Sequence, residues 1–291
     1  AGGSRARWRA IDSRAVRSRL RGRYRLMGRV VVVTGASSGI GAACADRLHG
    51  RGWTVLGASR RGTSEGGWSP LVMDVDDDLS VAAGVQSVID SHDRIDAVVC
   101  AAGWGLAGPV ETTSIQLARE QLETNFWGSV RVVAGVLPTM RHQGAGRIVL
   151  VSSLGGLVAI PFQAFYSASK FALEGYGEAL AHEVTPFGIQ VTLVEPGNIH
   201  TGFTAARRSV EPLTDDPYGE AASRAIAKME NDERSGAGPE RVGAVIERVL
   251  TTGDPPRRVT VGHAGERIGA TAKRLTPYRL FERAARHSFG L

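Results

Sequence analysis

Cysteine is nearly absent from this chain: Cys44 and Cys100 are the two in 291 residues, and both sit inside apolar segments. Two isolated thiols make neither a disulfide framework nor a metal-ligand spacing, so a reducing, cytoplasmic setting is expected and no metal. Long apolar runs are also missing. None approaches the roughly 20 residues that span a bilayer, so no transmembrane segment is expected. Acids are scarce at the N-terminus, where residues 1–29 hold ten arginines against Asp12 alone. That stretch has no apolar core, which excludes a secretory signal. Three readings of it remain: a transit-like peptide, a polyanion-binding arm, or a weakly structured extension over 1–27, upstream of a natural start at Met27.

The formal net charge is +6 and the sequence pI about 9.8, yet the basicity belongs to the two ends. Residues 1–29 carry +9 and residues 263–291 carry +4, leaving −7 for the body from Val30 to Gly262. Such a body is a poor surface for nucleic acid, and no nucleic-acid partner is expected.

What is present is alternation. Short β-branched runs ("RVVVVTG", "WTVLGAS", "PLVMDV", "IDAVVCAAG", "GRIVLVSS", "IQVTLVEPG" and "RRVTVG") are separated by segments of helical spacing. Among the latter, "SIQLAREQLETNFWGSVRVVAGVLPTMRHQ" reads as one long helix ended near Gly144, and "PERVGAVIERVLTTG" as the last helix. Continuous apolar strands between helices predict an α/β fold, a single doubly wound parallel sheet of Rossmann type with helices on both faces. One domain is expected over 28–262, with a basic segment over 263–291. The least regular stretch, Gly197 to Asp216, has the character of a lid or a disordered loop.

"TGASSGIG", Thr34 to Gly41, falls between the first strand and the first helix. There Gly35 allows a tight exit from the strand, Gly39 a close approach of phosphate, and Gly41 close packing of helix on strand. With Ser37 and Ile40 these residues are the expected pyrophosphate cradle at a helix N-terminus. The second strand ends in Arg60 and Arg61 with no acid, which favours the 2′-phosphate of NADP(H) over NAD(H). Asp74 closes the third strand, where its side chain can meet an adenine amino group.

Tyr166 and Lys170 are one helical turn apart and so share a face. A free phenol has a pKa of about 10, and lowering it by three units takes about 4 kcal/mol of preference for the anion. A neighbouring ammonium has the sign to supply it, which would make Tyr166 a general acid or base. Ser153 ends the fifth strand, where a hydroxyl can polarise a carbonyl.

With these residues on view, the chain resembles the short-chain dehydrogenase/reductase family from Gly28 to about Gly262. "VVCAAGWGLAGPVE", "GRIVLVSSLGGLVAIPF", "YSASKFALEG" and "HTGF" are most similar to its branch of type-1 17β-hydroxysteroid dehydrogenase and retinol dehydrogenases. The resemblance implies hydride transfer between NADP(H) and a hydrophobic alcohol/carbonyl pair. It implies Tyr166 as acid/base, Lys170 also on the nicotinamide ribose, Ser153 on the carbonyl, and Asn125 anchoring a water that leads to Lys170. It further implies cofactor contacts at Ala102, Gly103, Pro196, Gly197, Ile199 and Thr201, and a homodimer or homotetramer built on the helices of Asn125 and Tyr166. Cys100 stands where the family has an asparagine, which puts local stability in question. Trp104, Phe162 and Phe203, with Leu106, Ile160 and Phe165, are the candidates for an apolar substrate pocket. The basic C-terminal segment over 263–291 is expected to pack on the pocket or on another subunit, with contact to an anionic membrane as the further reading. A non-catalytic NADP-binding sensor on the same fold is the alternative to an enzyme.

Overall fold

The computed structural model describes residues 28–64, 66–210 and 217–291; the expectations for the N-terminal arm lie outside them. Its centre is β1, Val30–Thr34, five residues that are all buried. Alternate side chains of a strand point to opposite faces, and here both faces are covered. Val30 and Val32 join one apolar cluster, while Val31 and Val33 join the other. An uninterrupted valine run therefore serves two cores at once, which only a sheet sandwiched between helices can use.

Around β1 lie β2 (Thr54–Ser59), β3 (Ser69–Val72), β4 (Ala97–Cys100), β6 (Gly146–Val151), β7 (Ile189–Pro196) and β9 (Arg258–Val261). The order is β3-β2-β1-β4-β6-β7-β9, parallel at every pairing. The chain winds outward from β1 to β3 and then returns to β4 on the other side of β1. That reversal opens a crevice at the carboxyl ends of β1 and β4. Two residues at Leu106–Ala107, β5, pair separately with Arg208–Ser209, β8.

Helices α1 (Gly39–His49) and α7 (Pro239–Thr251) cover one face. The other is covered by α2 (Asp78–His92), α4 (Gly128–Gln143) and α5 (Ala164–Val184). The long helix expected before Gly144 is broken. It runs as α3 (Ile115–Leu122), a π-helical turn at Glu123–Trp127, and then α4. Gly144 at φ +65 does end it. Three helices went unread in the sequence: α6 (Gly219–Arg234), α8 (Ala264–Leu275) and α9 (Tyr278–Ser288). The helix at Pro239 is thus not the last. Among the described residues, no helix is long and apolar enough to cross a membrane.

Candidate active site

The crevice widens into a cavity of about 1180 Å³ lined from the glycine loop, the ends of β2, β4, β6 and β7, and helices α5, α6 and α9. At one end is the glycine loop. A Cβ on Gly41 would sit 2.2 Å from the Gly35 carbonyl oxygen, and one on Gly35 would sit 2.8 Å from the Ala102 Cα. Loop, helix and neighbouring strand therefore close on one another as backbone only. Ser38 precedes α1 without capping it through its side chain. The first N–H groups of the helix, which have no intrahelical partner, open on the cavity with the positive end of the helix dipole. Ser37, Gly39, Ile40, Arg60 and Asp74 line the same end, and Arg60 is exposed with no ion pair among the described residues.

Thr34 was not singled out in the sequence, yet its Oγ1 accepts from the backbone N–H groups of both Ala101 and Ala102 at 3.1 Å. This fixes the turn after β4 beneath the cavity. Cys100 beside it is fully buried, its thiol pushed up to about 12 by burial. It packs as an apolar residue of the core, and Thr34 holds the loop that follows.

At the other end Ser153, Tyr166 and Lys170 converge on the cavity. Ser153 Oγ accepts from the Gly155 N–H at 2.9 Å. Lys170 is buried and donates to the Val151 carbonyl at 2.8 Å, its Nζ 5.9 Å from the centre of the Tyr166 ring. Burial pulls the ammonium down to about 8; Glu174, one turn further along α5, opposes that shift. Glu174 is itself held by Arg258 of β9 at 3.0 Å. Tyr166 lies in a dry setting that pushes its phenol up to about 12. The Ser153 hydroxyl acts against that, the Glu233 carboxylate adds to it, and the Arg207 guanidinium reduces it. Desolvation is the largest influence on the Tyr166 phenol, and the Lys170 ammonium on the same helical face gives its hydrogen bond to β6.

Asn125 sits fully buried at the centre of the π turn. Its Oδ1 accepts from the Trp104 N–H at 3.0 Å, and its Nδ2 donates to the Trp104 carbonyl at 3.0 Å and to Ser169 Oγ at 3.2 Å. The extra residue of a π turn aims this side chain at the strand-end loop. Ala102, Gly103, Pro196, Gly197, Ile199 and Thr201 line the cavity between the two ends.

Trp104, Ile160 and Phe203 line the outer part, and Phe203 meets Tyr166 edge to face at 5.8 Å. Phe162 does not line it. Its backbone is left-handed at φ +57 and its carbonyl accepts from the Gly108 N–H at 2.8 Å. Leu106 and Phe165 are absent from the wall as well. Missed in the sequence were Gln163, three residues before Tyr166, and Ser152, beside Ser153. Both line the cavity, and Gln163 Nε2 and Ser152 Oγ are buried with no hydrogen-bond partner. Gln163 is the N-cap residue of α5, three positions before Tyr166, and that closeness was the available signal. Also unforeseen was the buried pair of Arg207 and Glu233, the latter on α6 and on the cavity wall.

Residues 29–212 match the family described as short chain dehydrogenase. The chain belongs to that family. It is an oxidoreductase of the NAD(P)-binding Rossmann type. The chain is 39% identical over 260 residues to 3-ketodihydrosphingosine reductase of Bacteroides thetaiotaomicron, across 88% of this chain and 96% of that protein. To human 17-beta-hydroxysteroid dehydrogenase type 1 it is 39% identical over 193 residues, across 60% of this chain and 58% of that enzyme. Among solved structures, a short-chain dehydrogenase from Streptomyces avermitilis superposes with a TM-score of 0.74 at 30% identity, over 89% of this chain and 99% of that one.

Proposed function

We propose that this dehydrogenase is an NADP(H)-dependent ketone reductase acting on a hydrophobic carbonyl/alcohol pair. The observation that carries the reading is the convergence of Ser153, Tyr166 and Lys170 on the cavity that Arg60 enters three strands away. The residues fit a dinucleotide. Gly35 and Gly41 leave no room for side chains, the open start of α1 suits a pyrophosphate, and Arg60 suits a 2′-phosphate. Asp74 suits the adenine end, and Ile199, Thr201 and Lys170 suit the nicotinamide and its ribose. The cofactor, when bound, supplies or accepts a hydride. Ser153 then donates to the carbonyl oxygen, and Tyr166 passes its phenolic proton to that oxygen as negative charge develops there.

Burial keeps the Tyr166 phenol protonated at neutral pH, so the proton is in place for transfer to a carbonyl oxygen on which negative charge develops. Lys170, with a pKa of about 8, keeps most of its charge at neutrality and steadies the phenolate that reduction leaves. Trp104, Ile160 and Phe203 give the substrate an apolar wall, and α8 and α9 close the cavity on its outer side. A long-chain 3-keto compound of the kind named for the Bacteroides relative, or a steroid, suits that wall. Exposed Trp127 and Phe171, on the helices next to Asn125 and Tyr166, support a homo-oligomer built there. The test is NADPH and NADH oxidation against long-chain 3-keto, steroid, retinoid and aliphatic carbonyls. NADPH-dependent turnover of apolar ketones is expected. Turnover with NADH alone, or confined to polar sugars and polyols, would overturn the reading.

A further inference from the structure

The two C-terminal helices carry a pattern that neither the fold nor the reaction uses. Phe281, Ala284, Ala285 and Ser288 of α9 line the active-site cavity. Arg279, Arg283 and Arg286 follow at i, i+4 and i+7, which places them on the opposite face of the same helix. All three are exposed. With His287, Glu282 and Leu291 they line a shallow groove of about 430 Å³. Where α8 turns into α9, Leu275, Tyr278 and Leu280 are 83%, 74% and 61% exposed. Three large apolar side chains within six residues, standing clear of the body, are costly in water.

We propose that the corner of α8 and α9, with the arginine face of α9, docks the protein on an anionic phospholipid bilayer. Leu275, Tyr278 and Leu280 enter the headgroup–acyl boundary, and Arg279, Arg283 and Arg286 meet lipid phosphates. A nucleic-acid backbone would match the arginines but leave the apolar corner in water. A second copy docked by the same surface would set its own Arg279, Arg283 and Arg286 against these, like charges that repel. The same helix borders the cavity, so docking sets an apolar substrate's source beside the site. That purpose rests on the proposed reaction, whereas the docking does not.

The test is flotation of the full chain with vesicles of phosphatidylcholine alone and of phosphatidylcholine mixed with phosphatidylglycerol. The protein is expected to float with the anionic vesicles only, less at high salt, and inorganic phosphate at matched concentration should not compete. Arg279→Gln/Arg283→Gln/Arg286→Gln should weaken partitioning on the order of a hundredfold while turnover of a small soluble ketone and the melting curve stay as in wild type. If that variant loses its melting transition, Leu275→Ser/Leu280→Ser carries the test, with the same loss expected. Wild-type binding by these variants assigns attachment to the N-terminal arginines and overturns the proposal. So does tight binding to duplex DNA without vesicle binding, or a change of oligomeric state in the variants instead of lost flotation.

Discussion

Lys170 gives its 2.8 Å hydrogen bond to the Val151 carbonyl of β6, while its Nζ stands 5.9 Å from the centre of the Tyr166 ring. The two residues share a helical face, but the ammonium is tied to the sheet. The energetic consequence is a buried cation. Its folded pKa, about 8, lies below the ordinary 10.5, burial being the larger cause.

The sign of the pH dependence follows. Below pH 8 the lysine is charged in both states and the folded one bears the full desolvation cost. Between pH 8 and 10.5 only the unfolded chain keeps the proton, so this residue's contribution to stability rises with pH. Lys170→Met should therefore stabilise the fold at pH 7 by about 2 kcal/mol, from roughly 3 kcal/mol of relieved desolvation less about 1 for the orphaned Val151 carbonyl. Thermal melts at pH 7 and pH 10 check this: the advantage of the variant should shrink at the higher pH.

Asn125 clamps both backbone groups of Trp104 from within the π turn. Asn125→Leu leaves that N–H and carbonyl without their partner and should cost about 2–4 kcal/mol, seen as a lower urea midpoint. Asn125→Asp retains the acceptor for the Trp104 N–H but faces its carbonyl with an anion, so it should fall between wild type and Asn125→Leu.

Much of this was legible in the sequence, for a local reason. The Val30–Val33 run encodes its place in both cores in consecutive residues, and the glycine loop and the one-turn spacing of Tyr166 and Lys170 bring those residues to one cavity. What escaped is non-local. The π turn at Asn125 hides inside an apolar periodicity that an ordinary helix shares, and only the loop at Trp104 reveals it. Thr34 matters through two N–H groups more than sixty residues away. Helix α6 is strongly polar, so its apolar face was hard to see beside the irregular loop before it. Phe162 looked like pocket lining by composition, but it lies off the cavity wall, with a left-handed backbone that no pattern encodes.

Gln163 holds a buried Nε2 without a partner on the cavity wall. A substrate oxygen would satisfy it. Gln163→Leu should leave stability unchanged or slightly higher, since it removes an unpaired donor. It should raise KM for the ketone about tenfold with little change in kcat, the size of one neutral hydrogen bond. Steady-state kinetics beside a melting curve separates this from a structural effect.

Arg60 and Arg61 are both exposed just after β2, and Arg60 is the one that lines the cavity. Arg60→Ala should lower kcat/KM for NADPH about 10- to 100-fold, as expected for a lost charged hydrogen bond, and leave NADH use nearly unchanged. Paired titrations of the two cofactors measure it.

The most direct measurement compares wild type with Tyr166→Phe in NADPH-dependent reduction of a long-chain ketone, with NADPH binding followed in both. The substitution removes one oxygen and keeps the ring against Phe203. Binding should be retained while kcat falls by roughly 10²–10⁴-fold, the range for loss of a general acid. Equal turnover in the two proteins would contradict Tyr166 as the proton donor.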